Sequence, residues 1–249
     1  WWDDFNGTSL DTIKWDYELG HIRGLEQQHY VRSDENVYVK DGKLTIKATD
    51  RPVESQYNVG GRQVIYNSGS IRTHDNKQYL YGRFETKAKL PKGKGVFPAF
   101  WTLGSDFVLD GDINSQQGYG WARCGEIDIM EEVGYDPNVI LSTVHCKAYN
   151  HSIGTQKSGT IKVPTAQTEF HVYAVEWTED FIKGYVDGKC YFTFDNDKKG
   201  NKNTWPFNAA FYLKLNLAWG GDWGGAQGID ESALPATYEI DYVRVFQKK

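Results

Sequence analysis

Gly125-Glu126-Ile127-Asp128-Ile129-Met130-Glu131-Glu132-Val133-Gly134 alternates acidic and apolar residues and then breaks phase. In an extended strand successive side chains point to opposite faces, so Glu126 and Asp128 share one face and Ile127 points to the other. A helix would set Glu126 and Glu131 roughly 140° apart around its axis, at ~100° per residue. A regular strand would turn Glu131 to the apolar face. One extra residue, a β-bulge at Ile129 or Met130, returns Glu131 to the acidic face. Like charges stacked on one strand face repel and need a reason. With the bulge, Glu126 and Glu131 flank Asp128 and lean together to ~5–5.5 Å, the carboxyl separation that suits double displacement at a sugar carbon. Crowding raises the pKa of at least one carboxyl and keeps a proton donor available near neutral pH. Three carboxylates could also hold Ca²⁺ or Mg²⁺, but the carbonyl and Asn donors of a cation loop are missing here.

Working outward, strand signals dominate. Alternating segments fall at 36–39, 43–48, 69–73, 83–89, 99–103, 126–130, 141–145, 171–177, 181–186, 189–194, 212–217 and 238–246. Asp41-Gly42 and Asp187-Gly188 sit between alternating runs, a strong hairpin signal. No stretch keeps a helical period over three turns. Many short strands without helices between them predict an all-β fold, a β-jelly roll sandwich of two antiparallel sheets. No linker composition interrupts the chain, so residues 1–249 are read as a single domain. The polar segment 105–120 is the longest loop and is expected to border a functional surface.

Composition narrows the function. The 249 residues carry a formal charge of -5, with 9 Trp, 16 Tyr and 12 Phe. Mean hydropathy is -0.61 and the pI near 5.7. A mildly acidic chain argues against nucleic acid, whose backbone needs clustered Lys and Arg. No apolar run reaches the ~20 residues of a membrane helix. The chain opens at Trp1-Trp2-Asp3-Asp4, so any targeting segment is expected to have been removed or never to have existed. Cys124, Cys146 and Cys190 form no metal-type pair; they read as buried thiols, with a Cys124–Cys146 bridge as the alternative.

The aromatics suit sugars, because pyranose rings present apolar faces that stack on flat side chains. Trp101, Trp121, Trp219 and Trp223 lie near the acid motif or in Gly-rich loops and are candidate platforms, while Trp177 is assigned to the core. The competing reading for Trp101 is burial. His145 ends a strand expected to pair beside the acids, where it could hydrogen-bond a carboxyl or a sugar hydroxyl. The other histidines show no constellation, and Arg72 reads as a salt-bridge residue. No nucleophile elbow, P-loop or dinucleotide fingerprint is present.

Glu126-Ile-Asp128-Ile-Met-Glu131 resembles the bulged Glu-x-Asp-x-x-Glu signature of glycoside hydrolase family 16, and most of all its laminarinase (endo-β-1,3-glucanase) branch. Asp3-Asp4-Phe5-Asn6-Gly7, Tyr81-Gly82-Arg83-Phe84-Glu85, Leu90-Pro91, Pro98-Ala99-Phe100-Trp101, Asn216-Leu217-Ala218 and Asp241-Tyr242-Val243-Arg244-Val245 match in order. The resemblance implies a jelly roll with a concave cleft and endo-cleavage of β-1,3- or mixed-linkage β-1,3/1,4-glucan with retention. It implies Glu126 as nucleophile, Glu131 as acid/base and Asp128 as the residue that tunes the nucleophile. Trp101 and Trp121 match sugar-stacking positions, and Arg83, Asn67 and His145 match polar positions of the cleft. Asp241, with the carbonyl of Gly42 and an acid near the N-terminus, matches a structural Ca²⁺ site; the chemistry itself needs no cofactor. A secreted, periplasmic or cell-surface monomer acting on β-glucan is the expectation. Phe97, Arg123-Cys124, Glu132 and Trp219 depart from the family pattern around the cleft. Two alternatives stand beside this reading: a non-catalytic carbohydrate-binding module on the same fold, and the same chemistry on agar- or carrageenan-type galactans.

Overall fold

The structure is a computed structural model that describes residues 1–107 and 120–248. Two sheets face each other. The larger has ten strands, with Lys189–Asp195, Phe181–Val186, His171–Trp177, Gly82–Lys89, Ala236–Phe246, Lys43–Asp50, Tyr66–Ser68 and Gln28–Tyr30 in spatial order. Trp2–Asp3 and Val37–Lys40 add to its flanks. The smaller runs Lys157–Lys162, Val139–His145, Glu126–Glu131, Val96–Gly104, Phe211–Trp219, Ser70–Arg72 and Asp16–Tyr17. The chain crosses between the sheets from Tyr66–Ser68 to Ser70–Arg72, on to Gly82–Lys89 and back to Val96–Gly104, and again on either side of Phe211–Trp219, as in a jelly roll.

Pairing is antiparallel except between Gln28–Tyr30 and Tyr66–Ser68, which run parallel. The expected hairpins form at Asp41-Gly42 and Asp187-Gly188. All four residues take positive φ, between 48° and 79°, the backbone that matches a two-residue turn to the twist of its strands.

Alternation builds the core. Phe84, Phe100, Ile127, Val175, Trp177, Leu213, Leu215 and Tyr238 point between the sheets and are fully shielded, each contributing about 1.5–3 kcal/mol by leaving water. The opposite face of the seven-stranded sheet carries a second, smaller cluster of Ala99, Trp101, Leu103, Cys124 and Tyr212, against which Phe107 and Trp121 pack. That face holds the acids. Of the loop expected over residues 105–120, positions 108–119 lie outside the described residues.

The cysteines are free. Cys124 and Cys146 are buried thiols as expected, but Cys190 is exposed, because it lies on Lys189–Asp195, the edge strand of the larger sheet.

Candidate active site

Gly125 delivers the acid-bearing strand. Its φ is +84°, and a Cβ there would lie 2.7 Å from Phe211 and 2.9 Å from Pro206, so the position admits only glycine. The bulge then appears where the three acids require it. Phe100 faces Met130 and Trp101 faces Asp128, leaving Ile129 without a partner on that side. On the other side, Asp128 faces Thr143 and Glu131 faces Leu141, three residues against two. Ile127, Ile129 and Met130 all enter the core. Glu126, Asp128 and Glu131 therefore meet on the opposite face.

Burial dominates their electrostatics. Asp128 is 3% exposed and Glu131 9%. Glu126 is pushed up to about 8 by burial, with the Asp128 charge adding to the rise; His145, Lys214 and the Trp121 indole pull it back. Glu131 is raised well above the ordinary carboxylate range by burial, then by Asp128 and Glu126. Burial raises Asp128 as well. The contrast lies in the partners. Glu126 Oε2 accepts the Trp121 Nε1–H at 3.1 Å, and its Oε1 lies 3.8 Å from His145 Nε2. On Glu131 the Asp128 and Glu126 carboxylates add to the rise that burial starts. The surroundings therefore differ: donors that favour the ionised form face Glu126, whereas Glu131 meets neighbouring carboxylates.

His145 closes the group. It stands directly across from Glu126, with Nε2 3.3 Å from Asp128 Oδ2. Burial lowers its pKa, partly opposed by Glu126, so the ring is neutral near pH 7. Glu126, Asp128 and His145 bring ligand-type atoms within 4.8 Å of one another, the one such group among the described residues.

Of the expected sugar contacts, Trp121 and Trp223 fit best. Trp121 is half-buried above Glu126, flanked by His145 at 5.6 Å and His151 at 4.7 Å between ring centroids. Trp223, on the short helix Gly221–Gly224, sets its ring against Phe97 at 4.7 Å. Trp101 lies on the correct face but is only 7% exposed. Its Nε1–H goes to Asn216 Oδ1 at 2.7 Å, and the Lys214 ammonium sits 4.2 Å from its ring centroid. It forms floor, not an open platform.

Three expectations are corrected. Trp219 is wholly buried against Tyr66 in the inter-sheet core, because it shares strand parity with Leu213, Leu215 and Leu217. Arg83 points to the exterior of the larger sheet, where its guanidinium meets Glu85 at 2.9 Å and Glu176 at 3.5 Å. Asn67 lies on that same sheet between inward-facing Tyr66 and Ser68 and accepts from Arg51 at 2.6 Å. The calcium set fits poorly. Asp241 is paired with Lys87 at 2.7 Å, Asp4 with Arg244 at 2.9 Å, and Asp3 accepts from Trp15 and Phe5. These carboxylates already have partners, and Gly42 brings no further one.

Three groups escaped the sequence reading. His151 reaches Trp121 only through the turn after Cys146, which local pattern does not reveal. Lys214 and its counter-ion Glu18 (2.6 Å) lie buried on the acid-bearing face. For Lys214 a signal existed, since Tyr212, Lys214 and Asn216 alternate with three leucines.

A two-sheet jelly roll with a bulged carboxylate strand on one face is the architecture of a carbohydrate-active hydrolase. The model for glycosyl hydrolases family 16 matches residues 25–244, and the chain belongs to that family. It is 44% identical over 258 residues to a β-glucanase of Rhodothermus marinus, covering 99% of this chain and 84% of the relative. It is 40% identical over 269 residues to glucan endo-1,3-β-glucosidase A1 of Niallia circulans, covering 100% of this chain and 38% of the relative. The X-ray structure of the laminarinase from Rhodothermus marinus superposes with a TM-score of 0.88 at 42% identity, over 99% of this chain and 96% of that one.

Proposed function

We infer that the protein is an endo-acting retaining glycoside hydrolase of β-1,3-glucan and mixed-linkage β-1,3/1,4-glucan. The observation that carries the mechanism is the unequal surroundings of two carboxyls on one bulged strand. Glu126, which receives the Trp121 indole N–H, attacks the anomeric carbon. Glu131, surrounded by other carboxyls, gives its proton to the leaving glycosidic oxygen. The resulting glycosyl ester on Glu126 is released when Glu131, now ionised, takes a proton from water as that water attacks the same carbon. Asp128, whose carboxyl burial pushes upward, lies between the pair on the strand and orients the nucleophile. His145, neutral, stands 3.3 Å from Asp128 and 3.8 Å from Glu126. Trp121 and Trp223 supply the sugar-stacking faces.

The relatives' named activities support the glucan assignment. A polymeric substrate places the work outside the cell, in the periplasm or at the cell surface, and no helix is long and apolar enough to cross a membrane among the described residues. The test is product analysis on laminarin, mixed-linkage glucan, agarose and carrageenan, with Glu126→Gln as blank and the anomer of the first products read by NMR. Glucan oligosaccharides of retained configuration are expected. Products from galactans alone would move the substrate; binding without any product would leave a sugar-binding module.

A further inference from the structure

A lysine in the middle of a sheet with 3% exposure is a costly residue. Lys214 occupies such a place, at the centre of Phe211–Trp219. Strand parity puts it on the acid-bearing face, and the register is direct: Lys214 stands opposite Trp101, which stands opposite Asp128. One row across the sheet thus reads Lys214, Trp101, Asp128.

The surroundings are built around that ammonium. Glu18 Oε1 accepts from Nζ at 2.6 Å, while Glu18 Oε2 accepts from the Ser70 hydroxyl at 2.6 Å. Nζ lies 4.2 Å from the Trp101 ring centroid, and the Arg23 guanidinium carbon is 5.5 Å from the same ring. Arg23 donates to Tyr30 at 2.7 Å, and Asn216, which holds the indole N–H, donates to the same hydroxyl at 3.1 Å. The indole is therefore covered by cations and tied at its edge. A buried ion pair rarely adds stability over an apolar pair of similar volume, so stability alone does not account for it.

We propose that Lys214, with Glu18 as its counter-ion, is a positioning residue that sets sugar specificity beside the catalytic carboxylates. By capping Trp101 it converts an aromatic platform into a charged, hydrogen-bonding floor. That floor selects a sugar unit offering a hydroxyl edge instead of an apolar ring face. The proposal rests on the glucanase reading.

The experiment uses laminarihexaose. Wild-type cleavage of it tests the glucanase reading by itself. The paired substitution Lys214→Leu with Glu18→Leu removes both charges together and leaves Arg23, which also meets Glu18 at 3.7 Å, to Glu26 at 3.9 Å. In this variant Tm is expected at or above that of wild type, whereas bond-cleavage frequencies along the hexamer shift and KM rises about 10-fold, which corresponds to one decade of affinity. In a Glu126→Gln background, where no bond breaks, calorimetry should read the same loss of hexamer affinity. Lys214→Arg keeps the charge but changes its shape, and should shift the cleavage frequencies in a folded protein even where the paired variant fails to fold. Unchanged cleavage frequencies and unchanged affinity in either folded variant would overturn the proposal.

Discussion

Glu131 and Glu132 are neighbours in the chain, and both are buried carboxyls pushed above their ordinary range, yet they serve opposite sides of one strand. Glu131 meets carboxyls on the cleft side. Glu132, fully shielded, turns into the core and accepts from the Asn138 backbone N–H at 2.6 Å and Gln167 Nε2 at 2.8 Å. Those donors hold it at about 7, well below what burial alone would impose. The same residue type, raised by the same cause, is kept protonated for chemistry on one side and tied to a turn on the other. Direction decides the role, and the bulge decides direction.

The strongest way to break this comparison is to remove each carboxyl's charge. Glu126→Gln should lower kcat by about 10⁴-fold or more. Glu131→Gln should cost about 10²–10⁴-fold on glucan, and far less on an aryl glycoside whose leaving group needs no proton. Glu132→Gln, by contrast, should leave glucan hydrolysis within about a factor of three, because its carboxyl faces away from the substrate. Equal losses in all three would erase the distinction between the faces.

Trp121→Phe sharpens the cleft side. It deletes the N–H that favours ionised Glu126, and a hydrogen bond to a charged group contributes about 1.5–3 kcal/mol. The acid limb of kcat/KM should move up by about one pH unit or more, as pH–rate profiles will show. An unmoved limb would take Trp121 out of the mechanism.

On the core side, the reading is a stability curve. Glu132 has a folded pKa raised to about 7 from 4.5, so the folded state holds a proton that the unfolded state has lost. Stability falls as pH rises from 4.5 through 7, by about 3 kcal/mol at one unit per 1.36 kcal/mol. Glu126, Asp128 and Glu131 act in the same direction. Denaturant titration across that window should show a shallower fall in Glu132→Gln, and an unchanged slope would contradict the burial argument.

The smallest effects concern residues read as sugar contacts and found elsewhere, and the expected calcium set. Trp219→Phe should lower stability by about 1–3 kcal/mol with KM unchanged. Arg83→Ala should change glucan kinetics by less than about twofold, since an exterior ion pair contributes about 0–1 kcal/mol. Adding Ca²⁺ after chelation should move Tm by less than about 1 °C; a shift of several degrees would restore a cation to Asp241.

Much of this was legible in the residues. Alternation locates the long strands, Asp-Gly locates the hairpins, and three acids that have to share a face demand the bulge. The short strands Asp16–Tyr17 and Gln28–Tyr30 were not, because two or three residues carry no period. Lys157–Lys162 was missed for another reason: as an edge strand it has a single large apolar residue, Ile161, which sets no alternation. Trp219 was misplaced by reading its Gly-rich neighbours and not its parity with Leu213, Leu215 and Leu217. Arg83 and Asn67 were misplaced because motif position says nothing about which sheet a strand joins. His151 depends on chain closure over a turn, which no local pattern contains.

The unpaired Ile129 has one more consequence. Strand faces behave like a two-letter phase, and an inserted residue normally inverts every letter downstream. Here the insertion is absorbed where it occurs, so the strand could shorten by one residue at Ile129 and still present Glu131 to the substrate and Glu132 to the core. Length at this point is a neutral coordinate, and phase is what the protein conserves through the change.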